Sequence, residues 1–237
     1  MLADGVAPEP RKLGLADNVQ IASTQLFALI AFIGAQLPLW RDRPGRPIES
    51  TETVLTSQFS RHLNGVARKS PVWNIFQFGV EDSDEIRRSR KIDIGAGPSG
   101  VTIWIDGRSY SDFELILPIE CKRLPTPTGR KRDPREYLFS SLSTTGGVQR
   151  FKAGHHGSKQ DLCAMIAYVQ AEDIPAWHIR VNGWVAGLVT AGESGWSADD
   201  ALTLDNHDQP ARVALLQSRH ARVTGSDVEL RHLWIEM

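Results

Sequence analysis

The order of apolar runs and polar breaks along this chain predicts its elements. Residues 1–16 are rich in Gly, Pro and charge and read as a loose N-terminus. Between residues 19 and 40 no charge occurs and the string LFALIAFIGA is densely apolar, which predicts a helix over 17–38, capped by Asp17 or Asn18 and ended by Pro38. A basic, Pro/Gly-rich turn occupies 41–47. Leu55, Phe59, Leu63 and Val66 then recur at helical spacing and predict a second helix over about 49–68, broken by Ser70-Pro71. VWNIFQFGV (72–80) reads as a strand, 81–90 as a highly charged loop and KIDI (91–94) as a further strand. VTIWID (101–106) alternates as a strand does, 107–112 is a turn, and FELILPIECKRL (113–124) is a buried strand. Pro118 is unwelcome inside that strand, so its ladder is expected to begin or bulge just before Ile119. A helix with GGVQRF, an apolar strand LCAMIAYV and an amphipathic helix with Trp177 and Trp184 follow. Residues 193–209 read as a polar, acidic surface excursion, and 213–218 and 228–235 as two closing strands joined around Thr224, Gly225 and Ser226.

Composition adds bounds. The chain has 237 residues, 41% of them apolar and 23% charged, with a net charge of −1. That fits one soluble α/β domain, a mixed central β-sheet flanked by helices, and any nucleic-acid surface must be local. The two cysteines, Cys121 and Cys163, read as small buried hydrophobes in a reducing compartment, so a cytoplasmic protein is expected. The uncharged run at 19–40 admits a membrane span, a signal peptide or a buried core or dimer helix. Ser23, Thr24, Gln25 and Gln36 interrupt a segment of barely spanning length, and Asp4, Glu9 and Asp17 precede it, which favours the buried helix.

The candidate chemistry sits on the strands. Side chains alternate along a strand, so Glu120 and Lys122 share one face while Cys121 takes the other. Unpartnered charge is costly to bury, so the pair is expected to face a cleft, a metal or a polyanion; the bland reading is an exposed charge pair. In KIDI, Lys91 and Asp93 share a face, and Asp93 is either an acid held in an apolar strand or an edge-strand charge that opposes aggregation. Glu52 lies on the apolar stripe of the second helix, as a capping carboxylate or as an acid aimed into the domain. GAGPSG (95–100) matches G-x-G-x-x-G, but a strand follows it where a dinucleotide site needs a helix, so a hairpin loop is expected and no cofactor. Arg123, Arg130, Lys131, Arg132 and Arg135 crowd one loop, with Arg150, Lys152 and Lys159 beyond, a local cluster that phosphates attract or a solvated loop. Ser218, His220 and His232 lack a G-x-S-x-G elbow and read as structural polar residues.

A helix with Glu52, the KIDI strand, the PIECKRL strand, a helix and the AMIAYVQ strand together resemble the PD-(D/E)XK nuclease superfamily, with its restriction-endonuclease-like fold, over roughly 49–170. Residues 171–237 are then an extension packed on that core, within a single domain. The resemblance implies Asp93 and Glu120 as ligands of magnesium, with manganese as substitute, Lys122 as the residue that holds or deprotonates the attacking water, and Glu52 as an additional acid. Asp106 is a rival for the first acid, because the separation from Asp93 to Glu120 is long and no Pro precedes Asp93. Gln149 and Arg150 fall on the helix where many members keep a polar or basic residue near the site. The implied activity is metal-dependent phosphodiester hydrolysis, most simply a DNA endonuclease of restriction or anti-phage type, with a homodimer or a defence-system partner protein as its setting. An RNA nuclease on the same fold, or a catalytically silent binding or assembly subunit, are the alternatives.

Overall fold

A computed structural model describes residues 18–83, 91–130, 132–142 and 146–237. The loose N-terminus, Asp17, most of the charged loop at 81–90 and Lys131 lie outside the described residues. The fold is mixed α/β; the described residues form four helices, a seven-stranded mixed sheet and a separate three-stranded sheet.

The described residues open with strand β1 (Asn18–Ile21) rather than a helix. Val19 and Ile21 are β-branched and alternate, and β1 pairs in parallel with β4 (Thr102–Ile105), which draws Ile21 into the core. Helix α1 starts only at Thr24 and runs through Pro38 to Arg41. Pro38 lacks the N–H of an interior bond, yet Leu37 and Trp40 beside it are almost fully buried, at about 1.5–3 kcal/mol for an aliphatic side chain. Arg41 also ties the helix end down, donating to the carbonyls of Ala211 and Glu236 at 2.9 and 3.0 Å. Among the described residues no helix is long and apolar enough to cross a membrane. Helix α2 is Glu52–Ala67, and Leu55, Phe59 and Leu63 are fully buried from its inner face.

Strand β2 (Phe76–Ser83) begins four residues later than its apolar run suggests, because 71–75 form turns. Strand β3 (Lys91–Pro98) contains most of the string expected to be a hairpin loop. Gly97 serves there as a point of close approach: a Cβ on it would come within 2.6 Å of the Glu114 carbonyl oxygen. The following strand, β4, does not pair with β3 but joins β1 and a short β5 (Arg108–Tyr110) in the small sheet.

Strand β6 (Leu117–Leu124) lies third in the large sheet, whose order is β2-β3-β6-β7-β10-β9-β8. It starts at Leu117 rather than Phe113, which is exposed. The pairing with β7 (Leu162–Val169) begins at Ile119, so Pro118 needs no N–H on that side. Helix α3 (Gly147–Lys152) crosses between them, and α4 (Ile174–Thr190) follows β7. The polar excursion carries an edge strand, β8 (Thr203–Asp208), beside β9 (Val213–His220) and β10 (Val228–Glu236). Helices α1 and α2 cover one face of the large sheet. Helices α3 and α4, with Tyr137 to Phe139, cover the other.

Candidate active site

Strands β3 and β6 stay paired only where Ile94, Gly95 and Ala96 oppose Ile119, Pro118 and Leu117. Beyond this they part, and the N–H groups of Cys121 and Arg123 on β6 lose their partner strand. Two carboxylates take their place. Asp93 Oδ2 accepts from the Cys121 N–H at 2.8 Å, and Glu52 Oε2 from the Arg123 N–H at 3.2 Å. Buried backbone donors must be paired, so the fork in the sheet holds both acids in place.

Glu52 is the first residue of α2, and the N-cap Thr51 makes no side-chain cap bond. Its carboxylate is aimed at β6, not back at its own helix. The approach is fixed by the Ser50 carbonyl, which accepts from Arg123 Nη1 and Gln170 Nε2, each at 2.7 Å.

The Lys122 ammonium stands at the centre. Its Nζ lies 2.7 Å from Glu120 Oε1, 3.2 Å from Glu52 Oε1 and 3.6 Å from Asp93 Oδ2, and donates to the Cys121 carbonyl at 2.9 Å. Glu120 is fully buried. Arg150, from α3, donates to its Oε1 at 2.6 Å. His156 Nδ1 stands 3.2 Å from its Oε2, not aligned as a hydrogen bond, and among the described residues neither atom has a hydrogen-bond partner.

The charges follow from this packing. Burial, and Glu120 after it, push the Asp93 carboxyl up to about 6, against the pull of Lys122 and the Cys121 N–H. Burial alone would raise Glu120, but Lys122 first, then His156 and Arg150, hold it well below the usual carboxylate range. Burial disfavours the Lys122 ammonium, yet Glu120, Asp93 and Glu52 hold its pKa well above the ordinary lysine value. Lys122 thus stands among these acids as a cation, suited to holding a water or a phosphate oxygen.

Three carboxylates face Lys122 and Arg150, leaving one negative charge over when all three acids are ionised. The Asp93 and Glu52 side chains are 27% and 25% exposed. Among the described residues no three His, Cys, Asp or Glu side chains converge in metal-holding geometry, and Lys122 lies between the acids. The donor set nonetheless fits a hard divalent cation: oxygen ligands, a residual negative charge, an acid that burial keeps reluctant to ionise, and a buried Glu120 Oε2 without a hydrogen bond.

Asp93, Glu120, Lys122 and Glu52 are therefore brought together. Asp106 is not; it is exposed in the turn between β4 and β5, with φ +48°. Arg123 and Arg150 lie at the site. Arg130 is exposed in the loop after β6, and Arg132 is exposed and donates to Glu136 at 2.6 Å. Gln149 is used locally: its Oε1 accepts from the Ser140 and Gly146 N–H groups at 3.2 and 3.1 Å, closing the start of α3. Lys152 departs from the expectation of a phosphate contact. It is buried, ion-paired with Asp200 and placed over the Trp196 ring at 4.8 Å. Nothing near Lys152 along the chain points to Asp200, which lies 48 positions away.

Asp200 opens a second buried cluster. His220 Nδ1 is 2.5 Å from Asp200 Oδ1, and Ser218 Oγ is 2.6 Å from His220 Nε2 and 2.7 Å from His232 Nε2. His232 Nδ1 is 2.7 Å from Tyr137 Oη, which accepts from Trp234 Nε1 at 2.7 Å. The indole can only donate and the carboxylate can only accept, so one arrangement satisfies every group. Tyr137 donates to His232, His232 to Ser218, Ser218 to His220 and His220 to Asp200. Burial lowers both histidine pKa values, which keeps the rings neutral as this arrangement requires. The Asp200, His220 and Ser218 order matches a hydrolase triad. The serine is nevertheless buried, and its oxygen is held between two imidazoles, so the cluster is structural.

Comparisons with protein-family models, with curated proteins and with solved structures find no match for the chain.

Proposed function

We propose that this chain is a metal-dependent phosphodiester hydrolase with a restriction-endonuclease-like core, acting on DNA. The observation that carries the reading is Lys122, whose ammonium lies within 3.6 Å of Asp93, Glu120 and Glu52 where β3 and β6 part. Order along the chain supports it: α2 with the additional acid, β3 with the first acid, β6 with Glu-X-Lys, then α3 and the parallel strand β7.

Asp93 and Glu120 would hold magnesium, or manganese in its stead, with Glu52 as the further acid. Such an ion neutralises charge growing on phosphate and activates water. Lys122 orients the attacking water and stabilises the charge on the phosphate oxygens. Arg150 keeps the buried Glu120 ionised. Arg123 beside the acids, and Arg130 and Arg132 in the exposed loop after β6, offer cations that phosphates attract without regard to sequence. A cytoplasmic anti-phage or restriction setting, with a homodimer or a defence partner, belongs to the same proposal.

Supercoiled plasmid and a folded RNA, each incubated with the protein in Mg2+ or in EDTA, test it. Metal-dependent nicking of plasmid is expected. Cleavage of RNA alone would transfer the activity to the other nucleic acid. Cleavage of neither in Mg2+ or Mn2+ would overturn the enzymatic reading in favour of a silent binding or assembly subunit.

A further inference from the structure

We propose that His156 is a positioning residue of the acid site, fixing the rotation of the Glu120 carboxylate through the oxygen that the two cations leave alone. The effect on activity rests on the phosphodiesterase reading; the geometry does not. Lys122 and Arg150 both converge on Glu120 Oε1, at 2.7 and 2.6 Å. Both cations meet one oxygen, so neither holds Oε2. His156 Nδ1, 3.2 Å from Oε2, is the side chain that opposes rotation of the carboxylate. A proton on Nδ1 would set a ring N–H facing that oxygen.

The loop is built to deliver that ring. After α3 the chain reads Gly154-His155-His156-Gly157, and both glycines are left-handed, with φ +63° and +57°. Gly157 has no alternative, since a Cβ there would stand 2.6 Å from Cys163 Sγ and 3.1 Å from the Pro118 ring. The His155 N–H closes on the Arg150 carbonyl at 2.8 Å, so the loop folds back under the helix that carries Arg150. Phe151 meets the His156 ring edge to face at 6.0 Å, and His156 is only 2% exposed. One helix and its return loop thus supply a group to each oxygen of Glu120.

Groups that orient a metal-binding carboxylate typically change metal affinity or activity by about 10–100-fold when removed. Calorimetric titration of Mn2+ and plasmid-cleavage kinetics, on the full chain and on His156→Ala and His156→Asn, test the assignment. His156→Ala is expected to weaken Mn2+ binding and lower kcat within that range, with KM for DNA little changed. His156→Asn keeps an N–H for Oε2 and is expected to recover most of the loss. Wild-type Mn2+ affinity and turnover in His156→Ala would overturn the proposal. Equal loss in both variants would do so as well, since His156 would then serve as packing against Phe151. If the wild type neither binds Mn2+ nor cleaves, the enzymatic reading fails on its own. A double-mutant cycle of His156→Ala with Glu120→Gln in urea unfolding then decides. Coupling of about fivefold or more in the unfolding constant supports the contact. Additive effects overturn it.

Discussion

Asp93 accepts the Cys121 N–H at 2.8 Å, so a side chain of β3 makes the bond to β6 that its own backbone has given up. The same carboxyl is pushed up to about 6 by burial and by Glu120. A raised acid favours its protonated form in the folded state. Its ionisation therefore subtracts from stability as pH rises from about 4, where the unfolded acid titrates, through about 6. Asp93→Asn keeps an acceptor for Cys121 and removes the charge. It is expected to stabilise the protein at pH 7 by on the order of 1–3 kcal/mol, with the gain fading below about pH 4. Thermal melts at the two pH values read this, and plasmid nicking should be lost in the same variant.

Asp106→Asn should change little. Asp106 is exposed in a hairpin turn with φ +48°, a conformation that Asn tolerates. Stability is expected within about 0.5 kcal/mol of wild type, and nicking unimpaired. A dead Asp106→Asn beside an active Asp93→Asn would move the first acid to the small sheet.

Lys122→Ala leaves a fully buried Glu120 with one cation fewer. Breaking a buried pair from one side typically costs about 3–5 kcal/mol. The cleavage rate should fall by about 10²–10³, the usual loss when one donor to developing charge is removed. The bared carboxylates should then welcome a cation. MnCl2 is expected to raise the melting temperature of Lys122→Ala more than that of wild type, and an equal response in both would count against a metal site at these acids.

Tyr137→Phe deletes the hydroxyl that takes the Trp234 N–H and donates to His232. Two buried polar groups lose their partner, at about 1–3 kcal/mol each, so urea unfolding should show a loss of about 2–5 kcal/mol.

The two neutral histidines also set an acid limit. Burial lowers both pKa values, so the unfolded chain takes up protons below about pH 6.5 where the folded one does not. Their contribution to stability is present above that pH and is lost as pH falls. Asp93 changes stability in the opposite direction over part of this range, so the comparison is cleanest in Asp93→Asn. There the urea midpoint should drop between pH 7 and pH 5, and a flat response would mean that His220 and His232 remain charged within the fold.

Much of this site was legible because strand side chains have a strict period of two. Glu120 and Lys122 had to share a face, and so did Lys91 and Asp93, whatever sheet received them. Strand β1 was hidden for a different reason. Val19 and Ile21 belong to a continuous uncharged run, and only pairing with Ile103 and Ile105 tells them apart from the helix that follows. Gly95 and Gly97 looked like a turn because their freedom of conformation is visible in sequence, whereas the Glu114 carbonyl that requires a bare backbone is not. Lys152 looked like a phosphate contact for the same reason: its neighbours in sequence are basic, and the acid that claims it arrives with the segment before β8. His156 sat in plain view between two glycines, but nothing local says which oxygen it will meet.

The one-way chain from Trp234 to Asp200 has a consequence for how the last strands find each other. Strand β9 alternates along its length and β10 alternates from Val228 to His232, and sliding one past the other by two residues keeps each side chain on its own face. Greasy patterning alone cannot detect that error. In the native alignment Ser218 lies opposite Leu230 and diagonal to His232, near enough to link both imidazoles. A slide of two places would carry its hydroxyl away from one of them and leave lone pairs and hydrogens mismatched along the row. The buried polar row therefore acts as a proofreader of strand alignment, recognising by proton count the one pairing that hydrophobicity leaves ambiguous.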